Sequence, residues 1–344
     1  MKNTLLLALL SITLFSCNNS SEKEAVPAEP AKDYTELETK AKAFFGLLPE
    51  YAENTENPIT PEKVALGKAL YYDVRLSKDN TQSCNTCHNL DTYGVDNLPV
   101  SPGNNKGSFG TRNSPSTLNA ALHIAQFWDG RMKDVEEQAG GPILNGVEMA
   151  MPSEKEVEKR LAGIKEYQEM FKAAFPESKE AITYKNIQKA IGAFERKLIT
   201  PTKFDDFLAG KSDALTNEEK DGLETFMEAG CTSCHLGNAL GGNMFQKFGI
   251  FGNYWETTKS AKIDEGKFEA TKNEADKYVF KVPSLRNVVK TGPYLHDGSL
   301  TSLEETIRIM GKLQLNKELT DVQVKQIMTF LETLTGEVPA ELKM

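Results

Sequence analysis

Cysteine spacing constrains this chain more than any other feature. Ser83-Cys84-Asn85-Thr86-Cys87-His88 sets two cysteines three apart, with a histidine directly after the second. That is the attachment pattern of a covalent c-type haem, in which two thioether links hold the ring and the histidine ligates iron. The pattern recurs at Cys231-Thr232-Ser233-Cys234-His235, so the two copies use four of the five cysteines among 344 residues. We therefore expect two c-type haems, attached at Cys84 and Cys87 and at Cys231 and Cys234. His88 and His235 are the expected proximal ligands.

The fifth cysteine belongs to a different signal. Lys2 precedes an apolar run, and Leu14-Phe15-Ser16-Cys17 closes it. This reads as a bacterial lipoprotein leader of residues 1–16, cleaved so that Cys17 can carry lipid. Residues 18–33, rich in Asn, Ser, Glu, Lys, Ala and Pro, then read as a tether. No later stretch is apolar enough to span a bilayer, so the expected location is the periplasm, tethered to a membrane through lipid only. Export permits disulfides, and a Cys-x-x-Cys can also hold zinc. Neither explains why a histidine follows each pair. The formal net charge of -9 argues against nucleic acid and suits a basic protein partner.

Helix signals recur along the chain. An amphipathic segment spans about 33–48. Thr60-Pro61 opens a helix striped by Val64, Leu66, Leu70 and Tyr71 that leads to the first haem motif. Residues 89–115 read as a long loop, and residues 116–128 as a helix. Ser153-x-x-Glu156 is a capping box, and a further helix runs from about Tyr184 to Leu198. Thr200-Pro201 marks a domain boundary, and Phe204 to Leu208 a short connection. Thr216-x-x-Glu219 opens the helix before the second motif, Ser302-x-x-Glu305 one carrying Met310, and Thr320-x-x-Gln323 the last. A capped helix before each motif hints at internal duplication. The reading is mainly α, with a leader (1–16), a tether and N-terminal segment (17–57), and two cytochrome c-like haem domains (58–200 and 201–344).

The sixth ligand of each iron decides function: a strong one favours electron transfer, an open position admits a small molecule. For the second haem the chain offers Met244, Met310 and His296. On spacing alone Met310 is a residue on an apolar helix face. For the first, the loop Ser101 to Gly107 holds no histidine or methionine. His123 is the nearest histidine and reads equally as structural, and Met149 and Met151 stand in a polar context. A first iron without a strong sixth ligand would bind peroxide. Its reduction needs a group that moves a proton between the oxygens. Glu136, Glu137, Gln138 and Glu148 are candidates, each also readable as a solvated surface residue.

Two runs of residues carry a family resemblance. Gln126-Phe127-Trp128-Asp129-Gly130-Arg131, with Gly141-Pro142-Ile143 and Val147-Glu148-Met149, forms the first. Val282 to Asn287, with Pro293-Tyr294-Leu295-His296-Asp297-Gly298, forms the second. Together they resemble the bacterial dihaem cytochrome c peroxidases over about residues 58–336. The resemblance implies that His88 holds the low-potential, peroxide-reducing haem and that His235 with Met310 ligates the high-potential haem. It implies Glu148 as the acid–base residue, Gln138 as its distal neighbour and Trp128 as the electron carrier between haems. It also implies a calcium ion held by Asn113, Thr291 and Pro293, an oxygen shell that suits this cation. Hydrogen peroxide is the implied substrate, and a small cytochrome c or cupredoxin the electron donor. Relatives are often dimers, so a homodimer stays open. One departure stands out. Many members carry a blocking histidine after the glycine of the distal loop, whereas Gly103 is followed here by Asn104 and Asn105. The enzyme is therefore expected to work without prior reduction.

Three rivals stay open at this point. A non-catalytic electron-transfer protein would need both irons closed. A MauG-like enzyme, which oxidises side chains of another protein, carries by resemblance a tyrosine where Met310 stands. A zinc or disulfide protein would bind no haem.

Overall fold

Helices dominate the structure, a computed structural model that describes residues 32–344. The leader, Cys17 and most of the tether lie outside the described residues. In chain order the helices are α1 (Thr35–Phe44), α2 (Pro61–Tyr72), α3 (Cys84–Cys87), α4 (Val135–Leu144), α5 (Glu154–Ala162), α6 (Lys165–Ala174) and α7 (Tyr184–Glu195). Then follow α8 (Lys203–Leu208), α9 (Asn217–Ala229), α10 (Tyr254–Thr258), α11 (Phe268–Thr271), α12 (Leu303–Leu315) and α13 (Asp321–Glu332). Two three-residue strands, β1 (Phe245–Lys247) and β2 (Val279–Lys281), pair antiparallel with Gln246 opposite Phe280. No helix of the described residues is long and apolar enough to cross a membrane.

The starts are chemically specified. Thr60 Oγ1 accepts the Lys63 N–H, with Pro61 in the first turn where its missing N–H costs nothing. Thr216 with Glu219, and Thr320 with Gln323, form reciprocal capping boxes that open α9 and α13.

Buried side chains gather in two main cores. Leu66, Leu70 and Tyr71 of α2 meet Ile187, Ile191 and Phe194 of α7 in the first. Leu223 and Phe226 of α9 meet Ile327 and Phe330 of α13 in the second. Each crossing is close because of one glycine. A Cβ on Gly67 would lie 1.9 Å from the Ala190 carbonyl oxygen, and one on Gly222 would lie 2.3 Å from that of Gln326. The chain ends cross over. Leu37, Ala41 and Phe45, in and just after α1, pack in the second core, while Val338 and Leu342 pack in the first. The short connection after Pro201 is itself the helix α8, with Phe204 and Phe207 fully buried.

Three readings fail. Residues 116–128 are not a helix: only a 3-10 turn forms, at Ala120–Leu122. Asn119 takes a left-handed backbone, and its side-chain amide donates to Thr200 Oγ1, which holds the chain in a turn. Met149 and Met151 are not in a polar context. They are 4% and 2% exposed, in the first core. Glu136 also departs from a solvated carboxylate: it is buried, receives the Asn57 amide at 3.0 Å and pairs with Arg196 at 3.3 Å.

Two segments of the chain repeat one local geometry. Residues 126–132 and 294–300 form the same turn, closed by the bridges Gln126–Met132 and Tyr294–Leu300. Phe127 and Gly130 have positive φ in one, Leu295 and Gly298 in the other. Asn119 and Asn287, ten residues before Asp129 and Asp297, are both left-handed and each opens a 3-10 turn. By this register Trp128 corresponds to His296.

Candidate active site

The first cysteine pair sits on α3, a single helical turn that sets Cys84 and Cys87 on one face. Thr86 Oγ1 accepts the Ser83 N–H at 2.9 Å and fixes the start of the turn. His88 follows at the end of α3. Its carbonyl accepts the Tyr71 hydroxyl at 2.6 Å, and Tyr71 also meets Thr117 Oγ1 at 3.1 Å. Its Nδ1 faces the Gly94 carbonyl at 3.4 Å. Desolvation holds the imidazole below its usual pKa, so it is neutral at pH 7. A neutral ring with Nδ1 turned to a carbonyl keeps Nε2 free to ligate a metal.

The second pair repeats this chemistry. Cys231–Ser233 form a 3-10 turn, and His235 Nδ1 lies 3.1 Å from the Leu240 carbonyl. Desolvation pulls the His235 pKa down to about 4. Cys231, Cys234 and His235 line a large, mainly apolar cavity together with Met310 of α12. The same cavity reaches Trp128 and His296, while Met244 is not among its lining residues. His296 is 2% exposed and stacked on Phe280 at 4.3 Å between ring centroids, so it is held in an aromatic cluster. The donor set fits a haem: a thiol pair, a neutral imidazole, a thioether and apolar walls. All four cysteines of the two motifs are free.

Trp128 is gripped by both halves of the chain. Its indole N–H donates to the Asn113 carbonyl at 2.9 Å, and its own carbonyl accepts the Lys281 N–H at 2.8 Å. Its ring lies 6.4 Å from that of His296. Arg112 adds a tie, pairing with Asp129 at 2.6 Å and with Asp264 at 2.7 Å.

Glu148 sits in the loop between α4 and α5, half-buried. Burial raises its pKa above the ordinary carboxylate value, and Arg131 partly offsets this. Arg131 is itself stacked 3.5 Å over the Phe127 ring. Glu148 is close enough to Cys87 to perturb the thiol electrostatically. Gln138 is half-buried on α4, the helix that leads into the Glu148 loop. Glu137 is exposed and accepts the Lys133 N–H at 2.8 Å. The distal loop lies against the same segment. Asn104 N–H donates to the Glu148 carbonyl at 2.6 Å. A Cβ on Gly103 would lie 1.7 Å from the Val147 carbonyl oxygen, so the approach requires glycine there. Both polar atoms of the Asn104 side chain have partners elsewhere. Its Oδ1 accepts from Asp79 N and Thr81 Oγ1, and its Nδ2 donates to Asp79 Oδ2 at 3.0 Å.

Asn113, Thr291 and Pro293 line the cavity together. Asn113 Nδ2 donates to the Leu98 and Pro99 carbonyls, which leaves Oδ1 as its acceptor for a cation. No group of three or more His, Cys, Asp or Glu among the described residues could hold a metal ion. A calcium site there would rest on amide and carbonyl oxygens. Sequence reading overlooked Lys281 and the Asp79–Thr81 anchor. Only the fold reveals them, since a lysine in a strand and a polar loop carry no motif.

Comparison with known proteins gives the family. Residues 61–213 match the family model described as di-haem cytochrome c peroxidase. The chain is 42% identical to the cytochrome c551 peroxidase of Nitrosomonas europaea, covering 98% of this chain and 93% of that one. It is also 42% identical to the cytochrome c551 peroxidase of Pseudomonas aeruginosa, over 91% of this chain and 90% of that one. A solved MauG-like protein associated with microbial copper homeostasis superposes with a TM-score of 0.73 at 28% identity, covering 85% of this chain and 94% of that chain. With two haem attachment motifs and these relatives, the chain belongs to the di-haem cytochrome c peroxidase family.

Proposed function

We propose that this peroxidase reduces hydrogen peroxide at the His88 site without first being opened by reduction. One observation carries the reading: every polar atom of the Asn104 side chain is bound by Asp79 or Thr81. The residue at the position expected of a blocking ligand is a poor iron ligand, and it is also tied down. Cys84, Cys87 and His88 would hold one haem, and Cys231, Cys234, His235 and Met310 the other, in two haem domains meeting near Thr200. When bound, the haems supply the iron chemistry and the electrons that split the O–O bond. Glu148 moves a proton from one peroxide oxygen to the other, so that the second leaves as water. Its raised pKa brings it nearer the pH at which it must both take and give that proton. Gln138 positions the peroxide, and Trp128 joins the two centres. Electrons come from a small cytochrome c or cupredoxin, drawn to an acidic surface. Asn113, Thr291 and Pro293 hold calcium, and lipid on Cys17 tethers the exported protein.

Glu148→Gln is expected to lower kcat roughly 10²- to 10⁴-fold while a pyridine haemochrome spectrum still counts two haems. Unchanged turnover removes Glu148 from the mechanism. EPR of the oxidised protein is expected to show a high-spin ferric component. A fully low-spin spectrum refutes the open site.

A further inference from the structure

Lys281 is a charged side chain without a counter-charge. It ends β2, is 6% exposed, and lines the cavity that contains Cys231, Cys234, His235 and Met310. Among the described residues no carboxylate pairs with it. Its Nζ has one hydrogen-bond partner there, His123 Nδ1 at 2.9 Å. Burial pulls its pKa down to about 8, with no neighbouring acid to oppose the fall.

The hydrogen bonding of this pair is one-sided. A lysine ammonium only donates, so His123 Nδ1 accepts and the ring proton sits on Nε2. Nε2 is buried and has no hydrogen-bond partner among the described residues. The ring is also seated tightly, since a Cβ on Gly242 would lie 2.1 Å from its Cδ2. Lys281 thus keeps ammonium N–H donors beyond the one given to His123, His123 keeps its Nε2–H, and the described residues offer these no acceptor. Buried donors in this state demand an acceptor, and a buried cation demands an anion.

A c-type haem brings such groups. Its vinyl edge is consumed by the cysteines, and its two propionate carboxylates stay free. We propose that Lys281, braced by His123, is the anion site for a propionate of the haem attached at Cys231 and Cys234. This rests on the reading of that cavity as a haem site. It gives His123, otherwise a bystander, a positioning role. It also makes Lys281 a determinant of haem potential, because a fixed positive charge near the ring favours the reduced, less positive iron.

The test is spectroelectrochemical titration of the haem-loaded chain. In Lys281→Met one haem is expected to move to lower potential, the ferrous-to-ferric ratio at fixed potential falling roughly tenfold, about 59 mV for one electron. Lys281→Arg, which keeps the charge, is expected to stay close to the wild type. Unaltered potentials in the methionine variant overturn the proposal. Should that variant fail to load haem, a crystal structure of the wild-type holoprotein decides. A propionate oxygen within hydrogen-bonding distance of Lys281 Nζ supports the assignment, and a lysine met only by water and His123 overturns it. A haemochrome count below two in the wild type would instead sink the underlying haem reading.

Discussion

Glu195 is 4% exposed on α7, and burial, reinforced by the neighbouring Glu136 carboxylate, pushes its pKa from 4.5 up to about 8. The folded chain therefore keeps this proton in a range where the unfolded chain has lost it. Its contribution to stability is fully present below about pH 4.5 and is lost as pH rises toward 8. Glu195→Gln removes the ionisation and keeps the size. It is expected to raise the melting temperature at pH 8, by a stability gain on the order of 3 kcal/mol, with the gain vanishing near pH 4.5. Thermal melts at the two pH values check this, and a variant equally shifted at both would show that burial of the charge is not the cause. Residue by residue, legibility followed covalent logic. The cysteine pairs, with His88 and His235 after them, stood out in sequence because their spacing is a local pattern. Lys281, Glu136 and the two buried methionines were not, because their environment is assembled by segments far apart in the chain.

Helices were readable where their ends are written locally. Thr60, Ser153, Thr216, Ser302 and Thr320 each accept the backbone N–H three residues on. The stretch 116–128 misled because apolar content alone cannot distinguish a helix from a buried turn, and Asn119 is held by a threonine more than eighty residues away. β1 and β2 are too short to show alternation. Packing between helices is equally hidden, although its consequence is testable. Gly222 lets α9 approach the α13 backbone so closely that a Cβ would meet the Gln326 carbonyl at 2.3 Å and Phe330 N at 3.0 Å. Backbone cannot yield as a side chain would. Gly222→Ala is expected to destabilise by about 1–3 kcal/mol. Gly146→Ala, where a Cβ meets nothing within 4 Å, is expected to stay within about 0.5 kcal/mol of the parent. Denaturant midpoints of the two variants give the comparison, and equal midpoints would mean the crossing has slack.

At the scale of the whole molecule, the two matching turn segments meet on one hydroxyl. Asn119 Nδ2 donates to Thr200 Oγ1 at 2.9 Å, and Asn287 Nδ2, its counterpart in the matching segment, donates to the same oxygen at 3.0 Å. Each amide oxygen is also used: Asn119 Oδ1 accepts the Thr200 N–H, and Asn287 Oδ1 accepts the Gly336 N–H. All three side chains are fully buried, so no bulk water replaces a lost partner. Thr200 thereby fixes two left-handed turns at once. One leads toward Trp128, and the other toward His296. A Thr–Pro pair in sequence suggests a boundary, but not that Thr200 is hydrogen-bonded to both Asn119 and Asn287. Thr200→Val keeps the shape and removes the acceptor, leaving two buried donors unpaired at about 1–3 kcal/mol each. Thr200→Ser restores the oxygen and gives up only a methyl group. In chemical denaturation of the haem-loaded chain, the valine variant is expected to lose several times more stability than the serine variant. It should also disturb the near-ultraviolet signal of Trp128, because the turn that leads to the indole loses its anchor. If valine and serine cost the same, the shared hydroxyl is incidental, and the halves are held by Arg112 and their crossed termini instead.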